Sequence, residues 1–465
     1  MTPPTAGHPG GGMTRITRRR RVVALVKAAR RAKQLTAHDT WTRGQLVAHR
    51  DQRIQALVEH ARAHSAFHRD REWDDRGGAP GGRPMDKAAL LAHYDDILTD
   101  RRLSFARLEE CLSRLEGDEL LDGYRLMGTG GTSGKRALFP YDADEWREVV
   151  AAFLRWGPLT GRRPKPGLRI AVVTTTSPRH MTARLAQTID VGIMRVLRLD
   201  AAAPQAQQVA ALQRHQPTEL HGYPSALALL AVEHLEGRLD IAPAFISTSS
   251  EVRTPEMAAL IEEAWGRAPF DVLGVTEAGI MAADCPAHAG LHVFEDQVAA
   301  EVLGDDGEPV PDGELGRLVI TPLHLRTLPL VRYDTGDLVR ATSEPCECGR
   351  PYMRLLEIQG RADDILHLPA RAGGSVAVHP MVVRSPLAAA RGVAQYQVVR
   401  DADGVHVALA LRGGADAAAT VAAVRRDVAR ALGAAGADVP LDVRVDADLL
   451  QRRTAIGKHR LVVQA

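Results

Sequence analysis

Thr129-Gly130-Gly131-Thr132-Ser133-Gly134-Lys135 is a Gly/Ser/Thr-rich stretch closed by a lysine, the composition of a loop that cradles phosphates. Glycines open the backbone to dihedrals closed to other residues, so several N–H groups can converge on one anion. Thr129, Thr132 and Ser133 add hydroxyl donors, and Lys135 adds a positive charge. The spacing disfavours the common nucleotide loop, which needs Gly, four residues, then Gly-Lys-Ser/Thr. Here Gly128 is followed five residues later by Ser133, and Lys135 by Arg136. Taken alone, the stretch fits either a polyphosphate site or a flexible turn, so its meaning depends on the rest of the chain.

The chain has 465 residues, more than one hydrophobic core usually supports, so two or three domains are expected. Its 45% hydrophobic and 25% charged content are globular values. A net charge of +2 gives no general pull toward nucleic acid or membrane. Cys111, Cys285, Cys346 and Cys348 are too few and too unevenly placed for a secreted disulfide framework, which points to a reducing, cytoplasmic setting. No apolar run reaches the roughly 18 residues of a membrane span, and Val22 to Val26 is too short for the core of a signal peptide.

The first residues are rich in Gly, Pro and Thr, and residues 1–20 are expected to form a loose tail. The basic segment Arg18 to Lys33 carries interleaved valines and predicts an amphipathic opening helix. Trp41 to Leu115 shows helical spacing. From Arg169, apolar runs such as Ile170 to Val173 alternate with Ala-rich helical stretches, the pattern of an α/β domain with parallel strands. Beyond Gly290 short alternating strands and turns predict a β-rich subdomain. A break at Gly360 to Asp364 precedes a compact αβ unit. The expected layout is thus a large domain over 21–362 and a small α+β domain over 363–465.

Four more segments carry chemistry. Leu273-Gly274-Val275-Thr276-Glu277 puts a glutamate just past a strand end, where open α/β sheets bind ligands. Arg332 to Asp337 sets carboxylates around a Gly turn suited to sugar hydroxyls. Gly360 to Asp364 sits on the domain break, and Thr454-Ala455-Ile456-Gly457-Lys458 holds a lysine on a Gly-flanked turn. Singly, Asp337 and Asp363 read as turn residues and Lys458 as a surface lysine. Their joint occurrence in this order carries the weight.

In that order the segments resemble the adenylate-forming ligase superfamily, in its phenylacetate–CoA ligase-like branch, over roughly Tyr124 to Lys458. The matching segments also include His221-Gly222-Tyr223-Pro224-Ser225 as an acid pocket and Ser249-Ser250-Glu251 as an adenine-side turn. The resemblance implies a multi-subdomain adenylation domain followed by a mobile C-terminal domain. It implies that Thr129, Gly130, Gly131, Thr132, Ser133, Gly134 and Lys135 hold the β- and γ-phosphates of ATP. Glu277 would bind Mg²⁺, Thr276 would touch the α-phosphate, Asp337 the ribose and Arg361 the nucleotide. Ser250 and Glu251 would flank adenine, and His221, Gly222, Tyr223, Pro224 and Gly274 would line the acid pocket. Lys458 would bridge acid and phosphate in the adenylation transition state, and Asp363 would be the hinge.

The implied reaction is ATP-dependent activation of a small, aromatic carboxylic acid and transfer to coenzyme A. Two departures from the pattern stand out. Leu273 occupies a position where many relatives carry an adenine-stacking tyrosine, and Leu366 to Pro380 departs from the usual strand-turn pattern. The second keeps open other acceptors: an amine, a carrier-protein thiol, or nitrite activation in a diazotase. The expected partners are the acid, ATP and an acceptor thiol or amine, without nucleic acid or membrane, and homodimerisation is compatible with the resemblance.

Cys285, His292, Cys346 and Cys348 supply the ligand set of a closed structural Zn²⁺ site, with His288 as the competing nitrogen. Reduced, buried cysteines are the alternative reading. Cys111 has no place in the set and reads as a small core residue.

Overall fold

The computed structural model describes residues 13–71, 83–129, 136–162, 167–361, 365–378, 380–390, 392–449, 454 and 458–464. Gly130, Gly131, Thr132, Ser133, Gly134 and Lys135 of the glycine-rich stretch lie outside the described residues, as do Asp363 and Gly457.

Residues 13–20, expected within a loose tail, are ordered. The strand Met13–Arg15 pairs with Glu119–Leu121, and the helix Arg18–Ala37 follows at once. Ile16 is buried, and the Thr17 side chain caps the helix by accepting from the Arg20 amide. Ala28, Ala32 and Leu35, spaced on one helical face, seat this helix on the body. Its main partner is the helix Ala143–Leu159, which starts in a capping box between Asp142 and Glu145.

The dominant element is an 11-stranded mixed sheet. From one edge it runs Val298–Leu303, Leu315–Pro322, Tyr333–Thr342, Arg354–Arg361, Leu291–Val293, Gly279–Ala283, Phe270–Val275, Phe245–Ser249, Glu219–Gly222, Arg169–Thr174 and Arg195–Asp200. The last five strands are mutually parallel, and the remaining pairings are antiparallel. The β-rich region expected beyond Gly290 therefore continues the parallel sheet through Gly279–Ala283, whose pairing with Phe270–Val275 reverses direction at the Thr276–Glu277 turn.

Strand Arg169–Thr174 lies between Arg195–Asp200 and Glu219–Gly222, so the chain winds first to one side and then to the other. Such a topological switch opens a crevice at the carboxyl ends of the strands.

A separate apolar core gathers residues from Leu366 to Val462, including Leu368, Tyr396, Val407 and Val428. It is built on a four-stranded sheet, in the order Leu441–Val445, Gly404–Leu411, Val393–Asp401 and Val462–Gln464, packed with the helices Pro380–Ala389 and Ala417–Ala434. In the segment read as departing from the usual strand-turn pattern, Leu366–Pro369 pairs antiparallel with Ser375–Val378 as a hairpin. Gly373 and Gly374, both at positive φ, form its turn. No helix among the described residues is long and apolar enough to cross a membrane.

Candidate active site

Successive parallel strands deliver their final residues to one crevice. Thr174 and Thr175 follow the first, Gly222 and Tyr223 the next, then Ser249, Ser250 and Glu251, then Thr276 and Glu277. At the switch point the Thr175 amide donates to the Tyr223 hydroxyl oxygen at 3.1 Å, and the Tyr223 amide donates to the Val173 carbonyl at 3.1 Å. Gly222 permits this closeness, since a Cβ there would stand 2.8 Å from the Val173 carbonyl oxygen. Pro224 then begins the helix Pro224–Leu235, where its missing N–H costs nothing.

Lys458 is brought here from the C-terminal unit. Its Nζ donates to the Ser250 carbonyl oxygen at 2.7 Å and sits 5.5 Å from the centre of the Tyr223 ring. Next to it, Glu251 accepts from two parts of the chain. Its Oε1 takes the His459 amide at 2.9 Å, and its Oε2 takes the Ser225 amide at 3.2 Å, at the first turn of Pro224–Leu235. One carboxylate thus ties a helix N-terminus to the lysine-bearing segment, and the helix dipole favours the charge there. His459 also reaches the Tyr396 carbonyl through Nε2 at 3.0 Å.

The glycine-rich stretch is held at its described ends. Arg125–Gly128 and Leu138–Tyr141 form an antiparallel pair, and Thr129 exchanges hydrogen bonds with Ala137. From the same hairpin, the Tyr141 hydroxyl donates to the Thr276 carbonyl at 2.6 Å, which links the hairpin flanking the glycine-rich stretch to the Thr276–Glu277 turn. Burial raises the Tyr141 pKa, and the Glu277 charge adds to the shift. Asp337 pairs in register with Arg361 on the adjacent strand. Leu273, in place of an aromatic ring, is half-buried and packs against the main core.

A cavity of about 490 Å³ opens beneath Lys458, lined by His221, Gly222, Tyr223, Ser250, Gly274 and Thr276. His180 lines it as well; burial and the nearby Lys458, Arg136 and Arg179 charges push its pKa down to about 4, so its imidazole is neutral at pH 7. These cations give the cavity mouth a positive potential suited to a carboxylate. His221 is held from both ring nitrogens: Nδ1 lies 2.5 Å from Ser247 Oγ, and Nε2 lies 3.4 Å from Glu219. Burial lowers its pKa. Burial alone would raise Glu219, but hydrogen bonds from His221 and Arg162 outweigh it and hold that carboxyl at about 2.

His459, Tyr141 and the Arg162, Glu219 and Ser247 side chains grouped around His221 are additions to the residues that the sequence singled out. Only the cross-strand register of His221 with Ser247 makes the last group legible, and register is a tertiary fact.

Away from the crevice, Cys285, His292, Cys346 and Cys348 each offer a ligand atom, all within 4.8 Å of one another. Cys285 Sγ lies 3.9 Å from Cys346 Sγ, and Cys348 Sγ lies 3.3 Å from His292 Nε2. Two thiolates about 2.3 Å from one tetrahedral zinc stand about 3.8 Å apart, so the spacing fits. His288 is drawn elsewhere: its Nδ1 lies 2.6 Å from Asp284.

No protein-family model matches the chain. It is 28% identical over 386 residues to the phenylacetate–coenzyme A ligase of Thermus thermophilus, covering 78% of this chain and 79% of that one. The Escherichia coli phenylacetate–coenzyme A ligase is 29% identical over 315 residues, or 61% and 67% of the two chains. Among solved structures, a 2-hydroxyisobutyryl-CoA ligase in the postadenylation state superposes with a TM-score of 0.71 at 20% identity, covering 92% of this chain and 91% of that one. An anthranilate CoA ligase in complex with anthranoyl-AMP gives 0.53 at 19% identity, over 72% and 65%. The fold and the crevice at the strand ends are those of an adenylate-forming enzyme. Within that superfamily the chain is similar to the phenylacetate–CoA ligase-like branch.

Proposed function

We propose that the protein is an AMP-forming ligase that activates a carboxylic acid as its adenylate in the crevice beneath Lys458 and transfers the acyl group to coenzyme A. The observation that carries this reading is the arrival of Lys458 at the Ser250 carbonyl, over a cavity that His221 and Tyr223 help to line. A fixed cation at that point offsets the negative charge that builds as a carboxylate oxygen attacks the α-phosphorus. Asp337 and Arg361 would hold the ribose side of ATP, and Ser250 and Glu251 the adenine side. Thr129 and the loop to Lys135 would take the β- and γ-phosphates.

Glu277 offers a hard oxygen for Mg²⁺ beside Thr276. Asp363 would serve as the hinge between the two units, whose boundary we set at 362/363. Phe153 and Trp156 line the cavity, which makes an aryl acid a natural first substrate to offer. The Cys285, His292, Cys346 and Cys348 cluster would hold a structural Zn²⁺ with all four positions filled by protein.

ATP–pyrophosphate exchange with a panel of acids, followed by product analysis with and without CoA, tests the reading. Acid-dependent exchange and a CoA thioester are expected. No exchange with any acid, or turnover that ignores CoA, would overturn it.

A further inference from the structure

The cavity beneath Lys458 does not end at the reacting carboxylate. The strand Arg169–Thr174 presents Ile170, Val172 and Thr174 to it. Alternate residues face one side of a sheet, so the cavity follows this strand for four residue steps, or about 13 Å. Thr174, Thr175, Ser249, Ser250 and Thr276 lie at the strand ends with Lys458, whereas His221 and Ser247 sit level with Val172, midway along. The opposite end is apolar and built from three separate places: Leu25 and Ala29 of the opening helix, Leu185 and Ile189 of the helix Met181–Ile189, and Ile193 and Met194 of the loop that follows. Two charged residues also touch the lining, but Arg162 is held by Glu219 and Asp190 by Arg198. The far end reaches the surface: Ala29 is exposed, and Ile193 is 60% exposed, unusual for a large apolar side chain.

A compact aryl acid held at Lys458 would leave that far half unfilled. An extended chain of about ten carbons, at ordinary bond lengths, spans the same distance. Resting on the adenylation reading above, we infer that the acyl substrate is elongated and apolar, an alkyl or arylalkyl acid whose tail runs along Ile170 and Val172 to the opening helix. Leu25 and Ala29 are then specificity-determining residues contributed by a segment that carries none of the nucleotide motifs. The open far end sets no sharp upper limit on length, so the slot selects for a minimum tail rather than against a long one.

Straight-chain acids from butanoate to dodecanoate test this in the purified full-length enzyme, by ATP–pyrophosphate exchange and, without ATP, by calorimetric binding. Each added methylene should raise kcat/KM and affinity about fourfold until the slot is filled, then level off. Ala29→Phe, a change at an exposed helical position, should cut the decanoate-to-butanoate ratio at least tenfold in both measurements. Exchange that favours phenylacetate or butanoate over every longer acid would overturn the inference while leaving adenylation standing. If exchange fails with all acids, adenylation falls and binding decides the slot: affinity that climbs with chain length supports it, and flat affinity overturns it. A ratio unchanged by Ala29→Phe also overturns it.

Discussion

Lys458 Nζ donates to the carbonyl oxygen of Ser250 at 2.7 Å across 208 positions of sequence. Ser250 adopts a φ of 70°, a left-handed conformation that a serine accepts only where its surroundings enforce it. The pair joins the C-terminal unit to the carboxyl edge of the parallel sheet, where the cavity opens.

If that lysine stabilises the adenylation transition state, Lys458→Ala should lower acid-dependent ATP–pyrophosphate exchange by roughly a hundredfold or more, the usual scale for removing a donor aimed at developing charge. Thermal stability should barely change. Thioester formation from a supplied acyl-adenylate should survive, and equal loss in both half-reactions would sink the assignment.

Glu251 holds Ser225 and His459 together through its two oxygens. Hydrogen bonds to a charged group contribute about 1.5–3 kcal/mol, so Glu251→Ala should slow adenylation roughly ten- to a hundredfold by freeing the Lys458 segment. Measured separately, the thioester-forming half-reaction should lose less. The same loss in both would show that Glu251 acts on overall folding.

The thiolate cluster makes a metal prediction. Elemental analysis of the purified chain should find about one zinc per molecule, and Cys285→Ser or Cys346→Ser should lower both zinc content and melting temperature. A metal-free protein of undiminished stability would dismiss the site. Cys111→Ser should change neither, because Cys111 lies on the helix Phe105–Ser113 outside the cluster.

His68 bears on acid stability. Burial pushes its pKa down to about 4, and its Nε2 lies 2.9 Å from the Pro329 carbonyl, so the folded state keeps it neutral with the proton on Nε2. The unfolded chain takes up a proton near pH 6.5, so stability is full above that value and falls as pH drops toward 4. His68→Gln should flatten the slope of unfolding free energy in this window by up to about 1.4 kcal/mol per pH unit. Denaturant unfolding at several pH values reads the change, and an unaltered slope would contradict it.

Local signals in the chain were sufficient for much of the architecture. Strand Arg169–Thr174 and helix Arg18–Ala37 fall within a few residues of the apolar run at Ile170 to Val173 and the valine-bearing basic segment Arg18 to Lys33. Side-chain period and turn residues are local properties, so these were legible. The sheet's continuity from parallel to antiparallel strands was not, because hydrogen-bond pairing between distant strands leaves no local mark. The Leu366–Val378 hairpin is likewise a tertiary fact: Gly373 and Gly374 mark a break in the chain, and their positive φ values make that break a turn.

By itself, the sequence determined which side chains are available for chemistry: a lysine near the C-terminus, a glutamate after a strand, a glycine-rich loop, and three cysteines with a histidine. Only the tertiary structure decided their neighbours. It set His292 rather than His288 beside the thiols, aligned His221 with Ser247, and turned Leu25 and Ala29 of the opening helix into walls of the cavity that Lys458 also lines. The reason is physical. Chemical identity belongs to each residue, whereas proximity comes from burying apolar faces and pairing strands across hundreds of positions.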